Sequence, residues 1–307
     1  MAETKTSKPK RKKSLPAPNP LLEEAKAYFK ESKALLTPPI FRAAYSDRMA
    51  WICACMAQLA YDSFESDDQQ IQEAFLAKLH SGGFDLVDTF NSPETDTQAF
   101  LVSNGDYAIL AFRGTQKAWR DVQTDIRAGR VRTSSGKIHV GFSQGYTSIA
   151  KKIEKSLARI GRIPIYITGH SLGGALATIA TQYLEANPRF EFQMAACYTF
   201  GSPRVGNADY DPNLKTSVFR IVNTTDIVTV VPLLTMGFVH VGDIRFLDRK
   251  NDKFRRGIPV LRRFLAFAIA FSKLVSDHAI IEYRRKLETI AKHRALGLFG
   301  DSRTPGR

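Results

Sequence analysis

The sequence predicts an α/β fold in which a mostly parallel central sheet is covered by helices on both faces. Two observations lead to this class: strand and helix patterns alternate along the chain, and one strand pattern runs through a glycine-flanked serine directly into a helix. The chain has 307 residues, of which 44% are hydrophobic, enough for one substantial core. No internal repeat or second domain boundary is visible in the sequence.

The predicted elements follow one another in the order that such a fold requires. Helices are predicted at residues 21–36, 43–61, 69–80, 143–160, 172–185, 260–275 and 277–293. Strands are predicted at residues 84–90, 98–103, 107–112, 163–168, 194–200 and 217–222, with a further pair inside 238–247. Thr37-Pro38-Pro39 separates the first two helices, and Asn104-Gly105 is typical of a hairpin turn.

The net charge of +14 is concentrated at the two ends of the chain. Residues 1–20 carry six lysines and arginines against one glutamate, and residues 245–307 carry sixteen against six acidic residues. Because residues 1–20 almost lack large apolar side chains, we expect a disordered basic tail there. One domain is expected over 21–300, followed by a disordered C-terminus at 301–307. Basic ends attract anionic surfaces or simply remain solvated.

The cysteines and the N-terminus bear on the cellular compartment. Cys53, Cys55 and Cys197 have no metal-ligand spacing and leave an odd thiol under any pairing. The N-terminus lacks the apolar core of a secretory signal, and no segment has 18 uninterrupted apolar residues. We therefore expect a reducing compartment and a cytoplasmic or peripheral membrane location, with leaderless export as the open alternative.

The most informative segment is residues 163–175, where a strand pattern meets Gly169-x-Ser171-x-Gly173 and a helical pattern begins. This is the context of a nucleophile elbow, a tight turn that exposes the serine at the edge of a sheet. Side chains at positions 169 and 173 would collide with the neighbouring strand or helix. A chance match in an ordinary turn is the alternative, and the flanking strand and helix argue against it.

A serine hydroxyl becomes nucleophilic when a histidine, itself held by a carboxylate, removes its proton. The histidines after Ser171 are His240, His278 and His293. His240 lies inside a strand pattern and His293 late in a helix, where structural and surface roles are expected. His278 lies where a loop enters a helix, so it is the predicted base.

Asp226 is the predicted acid, because it follows the strand at 217–222 through a short turn. A turn-capping role is the alternative for this residue. The weaker candidates, which lie in a polar turn or beside a later strand, are Asp209, Asp211, Asp243 and Asp248.

The tetrahedral intermediate of acyl transfer also needs hydrogen-bond donors for its oxyanion. The backbone N–H of Leu172, directly after the serine, is one predicted donor. The strand at 107–112 runs into Arg113-Gly114-Thr115, which makes the N–H of Thr115 the second predicted donor, assisted by its hydroxyl.

Several sequence blocks together resemble the class 3 lipases, the α/β-hydrolase family that includes the fungal triacylglycerol lipases. They span roughly residues 98–285 and occur in the family's order. The blocks are Ala111-Phe-Arg-Gly-Thr115, Ile138-His-Val-Gly-Phe142, Thr168-Gly-His-Ser-Leu-Gly-Gly-Ala175, Thr199-Phe-Gly-Ser-Pro-Arg-Val-Gly-Asn207, residues 223–232, and Asp277-His278.

The resemblance implies an α/β-hydrolase fold and a serine hydrolase that cleaves carboxylic esters of lipids without a metal or organic cofactor. By resemblance, Ser171, Asp226 and His278 match the catalytic triad, and Thr115 and Leu172 match the oxyanion donors. The alternatives are a phospholipase A-type acyl hydrolase on anionic membranes and a lipase-like binding protein without turnover. Specific nucleic-acid binding is not expected, since the excess charge lies largely outside the recognisable fold.

Two segments bear on substrate access. Within residues 255–275, the stretch from Phe264 to Phe271 is apolar on nearly every face and is bounded by cations, which suits either a buried helix or an interfacial helix beside the site. Residues 117–132 follow the oxyanion loop where the family carries its lid. A short lid helix and an ordinary surface helix both fit this segment.

Overall fold

The computed structural model describes residues 19–40, 44–114, 129–133, 136–210, 212, 214–223, 226, 228–230, 237–248, 253–255 and 278–295. The predicted helix at 260–275 and the predicted C-terminus at 301–307 lie outside these residues. So does the predicted basic tail, apart from its last two positions. The domain boundaries therefore remain predictions.

A large central sheet organises the described part of the chain. The strands are β1 (Asp85–Ser92), β2 (Thr97–Ser103), β3 (Ala108–Phe112), β4 (Arg130–Thr133), β5 (Gly136–His139), β6 (Ile165–His170), β7 (Met194–Phe200), β8 (Val218–Asn223), β9 (Asp243–Leu247) and β10 (Phe254–Arg255). Eight strands form the sheet, in the order β1-β2-β3-β6-β7-β8-β9-β10, and β4 pairs with β5 in a separate hairpin. From β3 to β9 the neighbouring strands of the sheet are parallel, whereas both margins are antiparallel. The predicted mostly parallel sheet is confirmed.

Helices cover the sheet on both faces, as the sequence predicts. They are α1 (Pro20–Lys26), α2 (Asp47–Leu59), α3 (Gln69–Ser81), α4 (Val140–Leu157), α5 (Leu172–Glu185) and α6 (Ile280–Ala295). One apolar core contains buried residues of α2 and α6, and the other contains those of α4 and α5. In β3, Ile109 belongs to the first core, while Leu110 and Phe112 belong to the second. This alternation is that of a strand buried on both sides.

Local capping and turn chemistry set the ends of several elements. The side chain of Ser46 accepts a hydrogen bond from the N–H of Met49, so α2 begins at Asp47 rather than at the predicted position 43. The Asn104-Gly105 turn between β2 and β3 is confirmed: the two strands are antiparallel neighbours, and Gly105 has a φ of +88°.

Two segments differ from the sequence prediction. The helix predicted at 21–36 is the short α1 followed by a 3₁₀ segment, Lys30–Leu35. The hairpin of β4 and β5 was not predicted, because the exposed Arg130–Thr133 strand has little apolar pattern. None of the described helices is both long and apolar enough to cross a membrane.

The three cysteines are free and buried in the core. Burial raises the pKa of the Cys55 thiol, and likewise that of Cys197, to about 12. These thiols therefore stay protonated at neutral pH and act as small apolar side chains.

Candidate active site

Four parallel strands end at one edge of the sheet, and the candidate site lies there. β3 leads to Gly114, β6 to Ser171, β7 to Gly201, and β8, after a turn, to Asp226. The carboxyl ends of parallel strands are the usual location of a site in an open α/β sheet. His278 comes from the other end of the sequence, just before α6.

The turn at Ser171 has the tight geometry of a nucleophile elbow. Ser171 has a φ of 57° and a ψ of −127°, a strained backbone for a residue other than glycine. A Cβ atom at Gly169 would lie 2.1 Å from the carbonyl oxygen of Gly173, and one at Gly173 would lie 2.4 Å from the carbonyl oxygen of Phe112. The prediction that both positions exclude side chains is confirmed.

Backbone hydrogen bonds hold Ser171 between β7 and α5. Its N–H donates to the carbonyl oxygen of Phe200, at 2.9 Å, and its own carbonyl oxygen accepts from the N–H of Gly174, at 2.9 Å. Because α5 begins at Leu172, the serine stands at the positive end of the helix dipole. Ser171 is largely buried, with 7% of its surface exposed.

The structure brings Asp226 and His278 together across 52 residues of sequence. Nδ1 of His278 lies 2.9 Å from Oδ2 of Asp226, and the carboxylate is fully buried whereas the imidazole is 20% exposed. A Cβ atom at Gly201 would lie 2.5 Å from that carboxylate oxygen, so only glycine leaves room for the pair beside β7. With Nδ1–H donated to Asp226, Nε2 of the neutral imidazole is free to accept a proton.

Asp226 accepts two further hydrogen bonds. The hydroxyl of Tyr283 donates to Oδ2 at 2.5 Å, and the N–H of Val228 donates to Oδ1 at 2.9 Å. An ionised carboxylate only accepts, so this set of donors suits its charged form and fixes its orientation.

The other sequence candidates lie in different surroundings. Asp209 accepts from the side chain of Asn207, and Asp243 pairs with Arg245 at 2.7 Å. Asp248 is buried after β9, His240 follows the bridge residue Val239, and His293 lies in the last turns of α6. Asp211 lies outside the described residues.

The predicted oxyanion donors are described only in part. Leu172 opens α5 next to Ser171, whereas Thr115 lies outside the described residues. Gly114, just before it, packs against the elbow: a Cβ atom there would lie 2.1 Å from the hydroxyl of Tyr61 and 2.7 Å from the carbonyl oxygen of His170. The loop that leads to Thr115 therefore passes directly beside the turn at Ser171.

Sequence reasoning missed a buried pair, His170 and Tyr61. Nε2 of His170 lies 2.6 Å from the carbonyl oxygen of His278, which can only accept, so this nitrogen carries the proton. Nδ1 then accepts from the hydroxyl of Tyr61 at 2.7 Å. Burial lowers the pKa of His170 well below its usual range, and the nearby His278 lowers it further, so its imidazole is neutral.

His170 could have been suspected from the sequence, because it is next to Ser171. Tyr61 carries no signal in the sequence, since the fold alone brings the turn after α2 to the elbow. Of the segments predicted to control access, 129–132 is described and enters β4 at Arg130, while residues 117–128 lie outside. Residues 256–275 also lie outside the described part of the chain.

The sheet order, the strained serine turn and the Asp226–His278 pair are those of the α/β-hydrolase fold. Residues 109–236 match the family model for Lipase (class 3). This match confirms, over the matched part of the chain, the resemblance found in the sequence.

Fungal lipases are among the matched relatives. A lipase of Rhizopus niveus is 31% identical over 170 residues, covering 51% of this chain and 43% of the relative. A secreted mono- and diacylglycerol lipase A of Penicillium cyclopium is 29% identical over 175 residues, covering 54% of this chain and 56% of the relative. The crystal structure of a lipase from Rhizopus microsporus var. chinensis superposes with a TM-score of 0.55 and 26% identity, over 67% of this chain and 74% of that one.

The chain thus spans about half the length of the curated relatives it matches.

The similarity to these relatives overturns the expected cellular location. The predicted cytoplasmic or peripheral membrane location is wrong, because the Penicillium relative is named a secreted lipase. The odd number of cysteines is no guide to the compartment here, since all three are apolar packing residues in the core.

Proposed function

We propose that the protein is a serine hydrolase that cleaves carboxylic esters of lipids. In this proposal Ser171 is the nucleophile, His278 the general base and acid, and Asp226 the carboxylate that orients His278. The observation that carries it is the 2.9 Å contact between His278 and Asp226 at the strand edge that also presents the strained serine. The match of residues 109–236 to the model for Lipase (class 3) supports the same conclusion.

The chemistry follows from this arrangement. Nε2 of His278 takes the proton of Ser171 as Oγ attacks the ester carbonyl, and Asp226 stabilises the imidazolium that forms. The protonated His278 then gives its proton to the leaving alcohol, which departs as the carbonyl of the acyl-enzyme re-forms. A water molecule, deprotonated by His278, attacks the acyl-enzyme, and the proton returns to Ser171 as the fatty acid leaves.

The N–H groups of Leu172 and Thr115 would donate to the oxyanion of each tetrahedral intermediate. The position of Leu172 at the N-terminus of α5 supports its role, since its N–H is among those left unpaired at a helix start. The path of the Gly114 loop beside His170 supports that of Thr115. The residues so assigned require no metal ion or organic cofactor.

The basic ends favour one variant of this activity. Sixteen lysines and arginines against six acidic residues in 245–307 suit contact with an anionic membrane surface. A phospholipase A-type acyl hydrolase is therefore the second candidate.

We infer that these basic ends contact lipid rather than a specific nucleic acid. We also infer that one hydrolase domain spans residues 21–300 between two tails. By the likeness to the secreted relative, we infer an extracellular location.

The test is hydrolysis of p-nitrophenyl esters from C2 to C16, followed by phospholipid vesicles, with fluorophosphonate labelling of the active serine. Wild type should label and should prefer long acyl chains, and Ser171→Ala should do neither. Ser148→Ala, which removes an exposed hydroxyl on α4, is the matched control and should behave as wild type. A folded wild type that neither labels nor turns over any ester contradicts the proposal and favours a lipase-like binding protein.

A further inference from the structure

Helix α6 meets the turn that carries Asp226 through two buried polar side chains. Tyr283 and Lys286 lie three residues apart and so share one face of the helix. Both are buried, although a lysine is almost never buried without partners for its charge. Their polar groups converge on residues 223–226, at the end of β8.

Tyr283 contacts both ends of this turn. Its hydroxyl accepts from the N–H of Asn223 at 3.0 Å and donates to Oδ2 of Asp226 at 2.5 Å. The same carboxylate oxygen accepts from Nδ1 of His278. A single phenol group thus fixes the acid relative to the last residue of β8.

Lys286 secures the turn from the same helix face. Its ammonium donates to Oδ1 of Asn223 at 2.9 Å, and the carbonyl oxygen of Asn223 accepts from the N–H of Asp226 at 3.1 Å. The lysine therefore ties α6 to the residue on which the Asp226 turn closes. Because Asn223 is three residues before Asp226, the buried ammonium of Lys286 also lies near this carboxylate. Solvent screens a charge little at a buried position.

We propose that Lys286 is a positioning residue, which through Asn223 holds the Asp226 turn and by its charge sets how strongly His278 binds a proton. This inference rests on the proposed function, since it concerns the same triad. The hydrogen bond to Asn223 would affect the rate at which His278 removes the proton of Ser171. The charge of Lys286 would affect the pH above which His278 can do so.

The sign of the charge effect follows from the groups around His278. Asp226 faces the imidazole from the turn after β8, and the His170 ring faces it from β6 at a centroid distance of 4.5 Å. Tyr61, in the turn after α2, acts on it through His170. Tyr283 and Lys286 reach the same carboxylate region from α6. His170 is neutral, so removal of the Lys286 charge leaves Asp226 less compensated and makes His278 hold its proton more tightly.

The experiment compares three variants in the full chain. Lys286→Met removes the charge and the hydrogen bond, Lys286→Gln removes the charge and keeps an N–H donor, and Lys286→Arg keeps the charge. Lys292→Met is the control, because it removes a lysine of the same helix that pairs with Glu288 and is 40% exposed. The readouts are the NMR titration of the His278 imidazole and the pH profile of fluorophosphonate labelling of Ser171.

We expect Lys286→Met and Lys286→Gln to raise the pKa of His278, and with it the acid limb of the labelling rate, by about half a pH unit. Lys286→Arg and Lys292→Met should leave both unchanged. At the pH plateau, Lys286→Met should label more slowly than Lys286→Gln, since only the latter can still hold Asn223.

An unchanged His278 titration in both neutral variants, accompanied only by a lower melting temperature, would overturn the inference and leave Lys286 a structural residue. If Lys286→Met does not fold, Lys286→Gln decides the charge effect alone. The NMR titration does not need turnover. A wild type that fails to label would therefore contradict the proposed function, while the His278 shift would still decide the role of Lys286.

Discussion

The Ser171 side and the Asp226 side of the candidate site are held in different ways. Ser171 is fixed by backbone: a strained φ, two glycines in van der Waals contact with neighbouring main chain, and hydrogen bonds to Phe200 and Gly174. Asp226 and His278 are fixed by side chains from distant parts of the sequence, above all Tyr283. A local sequence motif can therefore specify the geometry at Ser171, whereas only the complete fold specifies the contact between Asp226 and His278.

The largest effect should come from replacing the nucleophile in a way that also releases its strain. Ser171→Gly should lower turnover by about a million-fold, because no hydroxyl remains to attack the ester. It should also raise the free energy of unfolding by about 1 kcal/mol, because glycine adopts a positive φ without strain. Ester hydrolysis and urea unfolding measure the two effects. A loss of stability would show that the Ser171 backbone is not strained.

On the acid side, Asp226→Asn should lower kcat by about ten-thousand-fold. The amide can donate as well as accept, so it can hold the imidazole in the wrong tautomer for proton transfer. Fluorophosphonate labelling should slow in parallel, while KM for a short ester changes little. Asp243→Asn, which alters an exposed pair with Arg245, is the control. Equal effects of the two substitutions would argue against Asp226 as the acid.

The packing around the nucleophile should be sensitive to a single methyl group. Gly169→Ala should destabilise the protein by about 3 kcal/mol, because the new Cβ would lie 2.1 Å from the carbonyl oxygen of Gly173. Gly129→Ala is the matched control: nothing lies within 4 Å of its Cβ position, and the change should stay within about 0.5 kcal/mol. Similar unfolding midpoints for the two variants would contradict the tight elbow.

The smallest effect concerns the neutral His170, whose folded-state pKa burial lowers from an ordinary value of 6.5. Below pH 6.5 the unfolded chain binds a proton that the folded protein excludes, so stability falls as the pH falls. The limiting slope for one such group is about 1.4 kcal/mol per pH unit. His170→Gln, which can keep both hydrogen bonds, should show a shallower loss in urea unfolding between pH 7.5 and 5. Parallel curves would show that His170 does not exclude the proton.

The sequence predicted the parallel sheet because its strands are short apolar runs separated by helical patterns. It predicted the glycines of the elbow because their steric role is local. It missed Tyr283 and Lys286 on α6 and Tyr61 in the turn after α2, since a tyrosine or lysine carries no mark of the partner that the fold brings to it. The β4–β5 hairpin was missed for a similar reason: its exposed cationic strand has no apolar alternation to recognise.

The order of the chain gives the position of α6 a consequence for protein synthesis. The ribosome completes β3, β6, β7 and β8 before it reaches His278 and the helix that holds the Asp226 turn. A growing chain can therefore form the elbow while Ser171 still lacks the base that would activate it. If the proposed function holds, hydrolysis begins only when the later helix has left the ribosome and packed against α2.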